Sequence, residues 1–243
     1  MNNDPKLSKH TLSMLENKIS YVFKNRSYLE LALTHSSFSN EEKAKGRITE
    51  SNERMEFLGD AVLSLIVSTY LFSEFDGAKE GDLSKIRSAV VCEKALASFA
   101  SDIELGKYLK LGHGEELNKG RERPSILSDA YEALIAAIYL DSGIDEVRRF
   151  ILPYITALAN KTVRESSETD YKTKLQQIVQ QKPGETLVYD IISESGPPHM
   201  RTFVAQARLN DSNILGTGSG SSKREAEQNA AKDALKFFGF DSE

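Results

Sequence analysis

The acidic residues of one segment, NERMEFLGDAVL (residues 52–63), have a spacing that could serve metal chemistry. Glu53, Glu56 and Asp60 stand at positions i, i+3 and i+7, so a helix would place their carboxylates on one face. The same segment is rich in apolar side chains, which indicates that much of the helix is buried. Like charges beside a core are costly unless something compensates them, and a cation is the natural candidate.

A second acidic pair lies in LSDAYEALIAAIYL (residues 127–140), which is apolar almost all round and predicts a central helix. Asp129 and Glu132 stand at positions i and i+3 within it. If the two helices pack with their acidic faces together, they form an all-oxygen site that suits Mg²⁺ or Mn²⁺. Zn²⁺ prefers nitrogen and sulfur ligands. Gly59 would help by allowing the two helices to approach closely.

The same acids have a plainer interpretation, as solvated helix faces or as partners of nearby basic residues such as Arg54. Two separate apolar helices that are each interrupted by carboxylates at helical spacing are harder to explain as solvated surface. Spacing alone leaves both interpretations open.

The pattern divides the chain into two parts. Residues 1–162 have mainly helical periodicity, and the polar stretch that follows predicts a short linker over residues 163–169. Residues 170–243 predict a compact domain whose elements are, in order, a helix (171–181), three strands (186–195, 201–209 and 213–217) and a helix (222–238). Ser222 and Glu225 can form a capping box at the start of the last helix, each accepting from the other's free amide.

The composition is that of a globular protein, with 40% hydrophobic and 28% charged residues among 243. The formal net charge of −5 repels polyanions, so nucleic-acid binding would need local basic patches.

The lone cysteine, Cys92, lies in an apolar stretch that predicts a helix, and we expect a buried structural thiol in a reducing compartment. The first residues lack an apolar signal core, and apolar runs such as Ala61 to Val67 are far shorter than the ~20 residues of a membrane span. We therefore expect a cytoplasmic protein.

The segment NERMEFLGDAVL resembles the signature of the ribonuclease III family almost residue for residue. The resemblance covers nearly the whole chain, because it continues in LTHSS (33–37), EGDLSKIR (80–87), ILSDAYEALIAAIYLD (126–141) and the C-terminal domain. It implies a multidomain protein, with an all-α endonuclease domain that dimerises followed by a small α+β (α-β-β-β-α) double-stranded RNA-binding domain. The implied activity cuts double-stranded RNA, such as ribosomal RNA precursors and other structured transcripts, and leaves 5′-phosphate and 3′-hydroxyl ends.

The resemblance also implies roles for individual residues. Four acids would bind Mg²⁺, for which Mn²⁺ can substitute: Glu56, Asp60, Asp129 and Glu132. Asp60 and Glu132 would be catalytic, with Glu53 supporting the cluster. Glu80 matches a further family acid, although a solvated loop residue is an equally good interpretation. Phe57 would fill a pocket on the second subunit of a homodimer, whereas the residue pattern alone predicts a core aromatic.

Water is the expected nucleophile. Attack by the 2′-hydroxyl of RNA usually requires histidines as general acid and base, and the histidines of this chain are scattered: His10, His35, His113 and His199. One acidic cluster per chain also favours a homodimer, because two sites are needed to cut both strands of a duplex.

The resemblance implies three RNA contacts in the C-terminal domain. Ser222, Lys223 and Arg224 would bridge phosphates across the major groove, while Gln176 and His199 would reach minor grooves. A phosphate at a helix N-terminus benefits from both the helix dipole and the basic side chains. Taken singly, these features are also typical of a capping turn, a solvated glutamine and a hairpin histidine.

Two other functions fit parts of the pattern. A catalytically silent chaperone or regulator of duplex RNA would use the C-terminal domain, but it would not need to keep mutually repelling acids. A metal-dependent phosphohydrolase of small nucleotides would use the acids, but not an RNA-binding domain.

Overall fold

The computed structural model describes residues 9–197 and 200–240, with the backbone alone for residue 9 and residues 165–169. The chain divides into two compact units, residues 1–162 and 163–243. The first unit is helical, and the second combines helices with a three-stranded sheet. The bounds of the first nine helices are α1 (Lys9–Lys18), α2 (Arg26–Ala32), α3 (Ser36–Ala44), α4 (Glu53–Glu74), α5 (Glu80–Val90), α6 (Glu93–Asp102), α7 (His113–Leu117), α8 (Pro124–Ser142) and α9 (Ile144–Thr169).

Helix α8 forms the centre of the first unit. Pro124 occupies its first turn, where a missing amide costs nothing, and Gly143 ends it with a left-handed φ of 83°. Most of the apolar side chains between these ends are buried, among them Leu134 and Ile138, which are fully buried. The helix packs against α2, α4 and α6. This confirms the predicted central helix.

Helix α4 packs against α8, and its side chains Val62, Leu63 and Ile66 are buried. Within the described residues it is also the one helix that is long and apolar enough to cross a membrane. This is weak evidence for a membrane span, because a core helix of a soluble protein meets the same criteria.

Cys92 is exposed, so the prediction of a buried thiol is wrong. Helix α5 ends at Val90, and the extended backbone of Cys92 (φ −73°, ψ 157°) interrupts the expected continuous helix. The carbonyl of Cys92 then accepts from the amides of Ala95 and Leu96 and begins α6. The side chain therefore lies at a junction between two helices and not on a buried helix face.

The segment predicted as a linker, residues 163–169, is helical and completes α9. It contains neither glycine nor proline, so nothing in it breaks the backbone hydrogen bonds that run on from Thr162. The helix ends before Asp170, whose side chain accepts from the amide of Thr173 and caps the next helix.

The second unit has the predicted order of elements. These are α10 (Tyr171–Val179), β1 (Leu187–Ser195), β2 (Thr202–Leu209), β3 (Asn213–Gly220) and α11 (Lys223–Leu235), which a 3-10 turn (Lys236–Phe238) follows. The sheet is antiparallel with β2 in the centre. Ala205 and Ala207 of β2 are buried against Leu175 of α10 and Ala230 of α11, with Phe203 and Leu209 partly buried beside them. These four side chains of β2 alternate along the strand, so β2 has one face toward the helices, and the predicted strand is confirmed.

Strand β3 is three residues longer than predicted, because it continues through Gly218 and Gly220, and glycine normally weakens a strand. The glycines of β3 allow close packing against α11. A β-carbon on Gly216 would lie 2.4 Å from the amide nitrogen of Ala234, and one on Gly218 would lie 2.1 Å from that of Ala230. The sheet and α11 thus approach so closely that these strand positions exclude side chains.

Candidate active site and RNA-binding surface

The backbones of α4 and α8 touch at Gly59. A β-carbon at this position would lie 1.9 Å from the carbonyl oxygen of Glu132, so any other residue would have to displace backbone. Glu56 and Asp60 flank Gly59 on α4, and Asp129 precedes Glu132 by one turn of α8. The helix contact therefore occurs at the predicted acids.

The four carboxylates are electrostatically coupled. Burial, and then repulsion from Asp60, Glu56 and Asp129, raise the pKa of Glu132 to about 7. Burial also raises the pKa of Glu56, with repulsion from Asp129, Glu53 and Asp60 adding to the effect. In the described part of the chain, no lysine or arginine contributes to either shift. The site concentrates negative charge that a bound cation would relieve.

Asp129 has two neighbours from other helices or turns, Glu93 and His35, in addition to the adjacent Ser128. Its pKa is raised, chiefly by burial and further by Glu93, while a hydrogen bond from Ser128 and the field of His35 act in the opposite direction. Glu93 opens α6, which packs against α8. Glu93 and His35 do not lie at helical spacing from Asp129. The sequence pattern therefore gave no indication that they would be its neighbours.

A closed coordination shell is not formed. Among the side chains that the structure describes, no three of Asp, Glu, His or Cys stand close enough to hold one metal ion. The four predicted ligands are brought together by a close contact between α4 and α8, and their carboxylates interact electrostatically.

Glu53 and Glu80 lie at helix N-termini and are exposed. Glu53 accepts a hydrogen bond from Ser51 Oγ at 2.7 Å. Glu80 is the first residue of α5 and accepts from Ser84 Oγ at 2.8 Å, so it is helical and not a loop residue. A carboxylate in the first turn of a helix interacts favourably with the helix dipole.

Phe57 is 81% exposed, so the core position that the residue pattern predicts is wrong. Leu65 and Phe72, which are 57% and 76% exposed, follow it along the same helix at eight and seven residue intervals. Because seven and eight residues are each within about a quarter turn of two full helical turns, the three side chains lie on one side of α4 and form an apolar stripe.

The start of α11 has the expected polar groups, with one difference. Ser222 Oγ accepts from the amide of Glu225 at 3.2 Å, as a capping box requires. The Glu225 carboxylate accepts from the amide of Ser221 at 2.7 Å instead of that of Ser222, so only half of the box is confirmed. Lys223 and Arg224 are exposed in the first turn.

The N-terminal end of α10 is joined to the middle of α11. Gln228 accepts from the amide of Lys172 at 3.0 Å, and its own amide donates to Asp170 at 3.0 Å. Gln176 lies one turn further along α10 and is half-buried. His199, the remaining predicted RNA contact, lies outside the described residues.

Comparison with known proteins identifies both units. Residues 25–159 match the ribonuclease-III-like family, and residues 171–237 match the double-stranded RNA binding motif. The chain belongs to the ribonuclease III family. It is accordingly a metal-dependent endoribonuclease specific for double-stranded RNA, and both the resemblance and the predicted fold class are confirmed.

Relatives of this ribonuclease III are similar over almost their full length. Ribonuclease 3 of Clostridium tetani is 51% identical over 225 residues, which are 93% of this chain and 94% of the relative. Ribonuclease 3 of Caldanaerobacter subterraneus is 47% identical over 228 residues, or 94% and 98% of the two chains. The solved nuclease domain of ribonuclease III from Campylobacter jejuni, described as flexible in a region involved in dimer formation, is 45% identical with a TM-score of 0.54. It matches 59% of this chain and 95% of its own.

Proposed function

We propose that this ribonuclease III hydrolyses RNA at a divalent-metal site formed by Glu56, Asp60, Asp129 and Glu132. The observation that supports it best is the contact of Gly59 with the Glu132 carbonyl, because it brings acids from two segments to one helix crossing. The raised pKa values of Glu56 and Glu132 add support, since coupled, partly buried carboxylates without a basic partner are suited to cation binding.

The donor set fits Mg²⁺, with Mn²⁺ as a substitute. All four predicted ligands are carboxylates, which hard divalent cations prefer. Bound Mg²⁺ would supply Lewis acidity that lowers the pKa of water and stabilises charge on the leaving oxygen. Asp60 and Glu132 would hold and orient the reacting groups, and Glu53 would support the cluster from the exposed end of α4. The products would carry 5′-phosphate and 3′-hydroxyl ends.

We propose that the enzyme is a homodimer in which Phe57 inserts into the partner subunit. The apolar stripe of Phe57, Leu65 and Phe72 is unusual on the surface of a monomer and would be covered by a second copy of α4. Two copies would also supply two acidic clusters, one for each strand of the duplex.

Binding of the duplex would depend on the second unit. Ser222, Lys223 and Arg224 would contact phosphates at the N-terminus of α11, where the dipole and two exposed cations act together. Gln176 and His199 would reach the minor grooves. We propose ribosomal RNA precursors and other structured transcripts, messenger RNAs among them, as the substrates, and the cytoplasm as the location.

Cleavage of a long RNA duplex by Glu132→Gln tests the assignment. In Mg²⁺ we expect the variant to cut on the order of 100-fold more slowly or worse, the scale of losing a group that stabilises the transition state. Duplex affinity measured in Ca²⁺ should stay within a factor of two or so of wild type, because the second unit is intact.

Glu74→Gln is the matched control, since it removes an exposed carboxylate from the opposite end of α4. This variant should cut like wild type. Equal cutting by Glu132→Gln and wild type would refute the assigned role and favour a protein that only binds RNA.

A further inference from the structure

Asn52 directly precedes the acids of α4 and is buried, with 3% of its surface exposed. An asparagine before a helix usually caps it, with its side-chain oxygen accepting from a first-turn amide. Here the backbone of Asn52 is already helical (φ −77°, ψ −3°), and its side chain makes no capping hydrogen bond. The buried amide therefore serves another purpose.

That amide tethers α4 to the end of α2. Asn52 Nδ2 donates to the carbonyl of Ala32 at 3.1 Å, and the backbone amide of Asn52 donates to the carbonyl of Thr34 at 2.8 Å. The carbonyl of Asn52 accepts from the amides of Met55 and Glu56 at 2.8 and 2.9 Å. One residue thus connects the first turn of the acid-bearing helix to the turn that follows α2.

The turn that carries the acceptors of this tether is itself held in place by hydrogen bonds. The amide of Lys110 donates to Leu33 O at 2.8 Å, and the amide of His35 donates to Lys110 O at 3.1 Å, which closes a short parallel bridge. Helix α2 packs against α8, the helix that carries Asp129 and Glu132. A fixed path of hydrogen bonds and packing therefore runs from Glu56 through Asn52 and α2 to α8.

We propose that Asn52 is a positioning residue of the nuclease site, whose tether to Ala32 and Thr34 keeps Glu56 opposite Asp129 and Glu132. This inference rests on the proposed metal site. The repulsion among the carboxylates tends to separate the first turn of α4 from α8, and the tether opposes that separation before an ion binds. Loss of the tether would leave the ligands in place on the chain but less well arranged for one ion.

Calorimetric titration of the full-length protein with Mn²⁺, without RNA, tests this role. We expect Asn52→Ala and Asn52→Ser to weaken Mn²⁺ binding about tenfold or more, as loss of groups that orient metal ligands typically does. The Asn52→Ser variant matters because it keeps a polar side chain at the buried position, while the amide that donates to Ala32 is absent.

Asp141→Asn is the control for stability alone. Asp141, near the end of α8, accepts from the amides of Lys24 and Asn25 at 2.9 and 2.8 Å, so its loss destabilises the same unit nine residues from Glu132. We expect this variant to melt at a lower temperature than wild type but to bind Mn²⁺ like wild type. If Mn²⁺ affinity instead follows melting temperature across all variants, Asn52 has only a structural role.

Glu132→Gln separates this proposal from the one it rests on. If Glu132→Gln binds Mn²⁺ as tightly as wild type, the metal site itself is wrong. If Glu132→Gln loses Mn²⁺ binding but both Asn52 variants retain it, the metal site stands and the positioning role of Asn52 is overturned.

Discussion

Glu132 and Gly59 show how two residues on facing helices can determine one another's properties. The missing side chain of Gly59 allows the backbone of α8 to approach α4, and that approach places Glu132 among other carboxylates. Glu132 therefore has a raised pKa because of its environment and not because of its chemical type. The close contact at Gly59 and the raised pKa of Glu132 can each be tested by a single substitution.

The stability of the metal-free protein should depend on the protonation of Glu132. Its pKa is about 7 in the folded state against 4.5 ordinarily, so the folded state holds more protons over this range. The resulting stabilisation is fully present below pH 4.5 and is lost as the pH rises through 7. Since glutamine resembles the protonated acid, Glu132→Gln should equal wild type in melting temperature at low pH and exceed it at pH 8. Thermal unfolding with a chelator from pH 4.5 to 8 measures this difference, and a constant difference would contradict it.

Gly59→Ala should destabilise the first unit by about 1–3 kcal/mol or more, the usual cost of forcing extra atoms into a packed contact. The added carbon would meet the backbone of Glu132, which cannot rotate away. Gly81→Ala is the matched control, because a β-carbon at Gly81 in α5 meets nothing within 4 Å. That variant should keep or slightly gain stability, by less than about 1 kcal/mol. Urea unfolding of both variants measures the free energies, and equal losses would argue against the close contact.

At the scale of elements, the pattern of apolar residues predicted the helices and strands that are buried in a core. The acid-bearing helices α4 and α8 and the strand β2 are of this kind. Periodicity could not find features that depend on single backbone angles or on the absence of side chains. The extended backbone at Cys92 divides an apolar stretch into two helices, and α9 passes both Pro153 and the polar residues 163–169.

The candidate site was predictable to a similar extent. The four acids lie at helical spacing in two apolar segments, so their grouping could be expected from the sequence. The exposure of Phe57 could not be predicted, because an aromatic residue beside core residues has the same sequence pattern whether it faces the core or a partner. The tether through Asn52 joins residues about 20 positions apart by backbone carbonyls, which no side-chain pattern records.

Gly218→Ala should destabilise the RNA-binding unit by displacing α11 from the sheet. The new β-carbon would lie 2.1 Å from the backbone nitrogen of Ala230, in the middle of the strand and helix contact. We expect the second unit to lose about 1–3 kcal/mol of stability and duplex affinity to fall with it. Ser219→Ala, which changes an exposed neighbour on β3, should alter neither quantity. Calorimetric melting and duplex titration at one salt concentration measure both, and unchanged melting of Gly218→Ala would contradict the close packing.

At the scale of the whole molecule, a net charge of −5 coexists with RNA binding because charge is distributed by site. Acids gather where α4 meets α8, and two exposed cations open α11. Acids at a nuclease centre repel phosphate until cations bind, so affinity for the duplex must come from basic sites elsewhere. Assembly of two chains would double both kinds of site.

Phe57→Asp should convert the proposed dimer into monomers, because a charge would enter the apolar stripe of α4. Phe237→Asp is the matched control, since Phe237 is 75% exposed in the second unit and lies on no part of that stripe. We expect sedimentation velocity to detect monomers for Phe57→Asp at micromolar concentration and dimers for wild type and Phe237→Asp. Duplex cleavage should fall with dimer loss, and a dimeric Phe57→Asp would remove Phe57 from the proposed interface.

The exposed position of Cys92 gives each chain one thiol for chemical labelling, because the sequence contains no second cysteine. A maleimide dye or nitroxide would therefore attach at a single defined point, at the junction between α5 and α6. Two identical chains that assemble would then bring a pair of nitroxides to one symmetric separation, measurable by pulsed electron resonance without introducing any mutation.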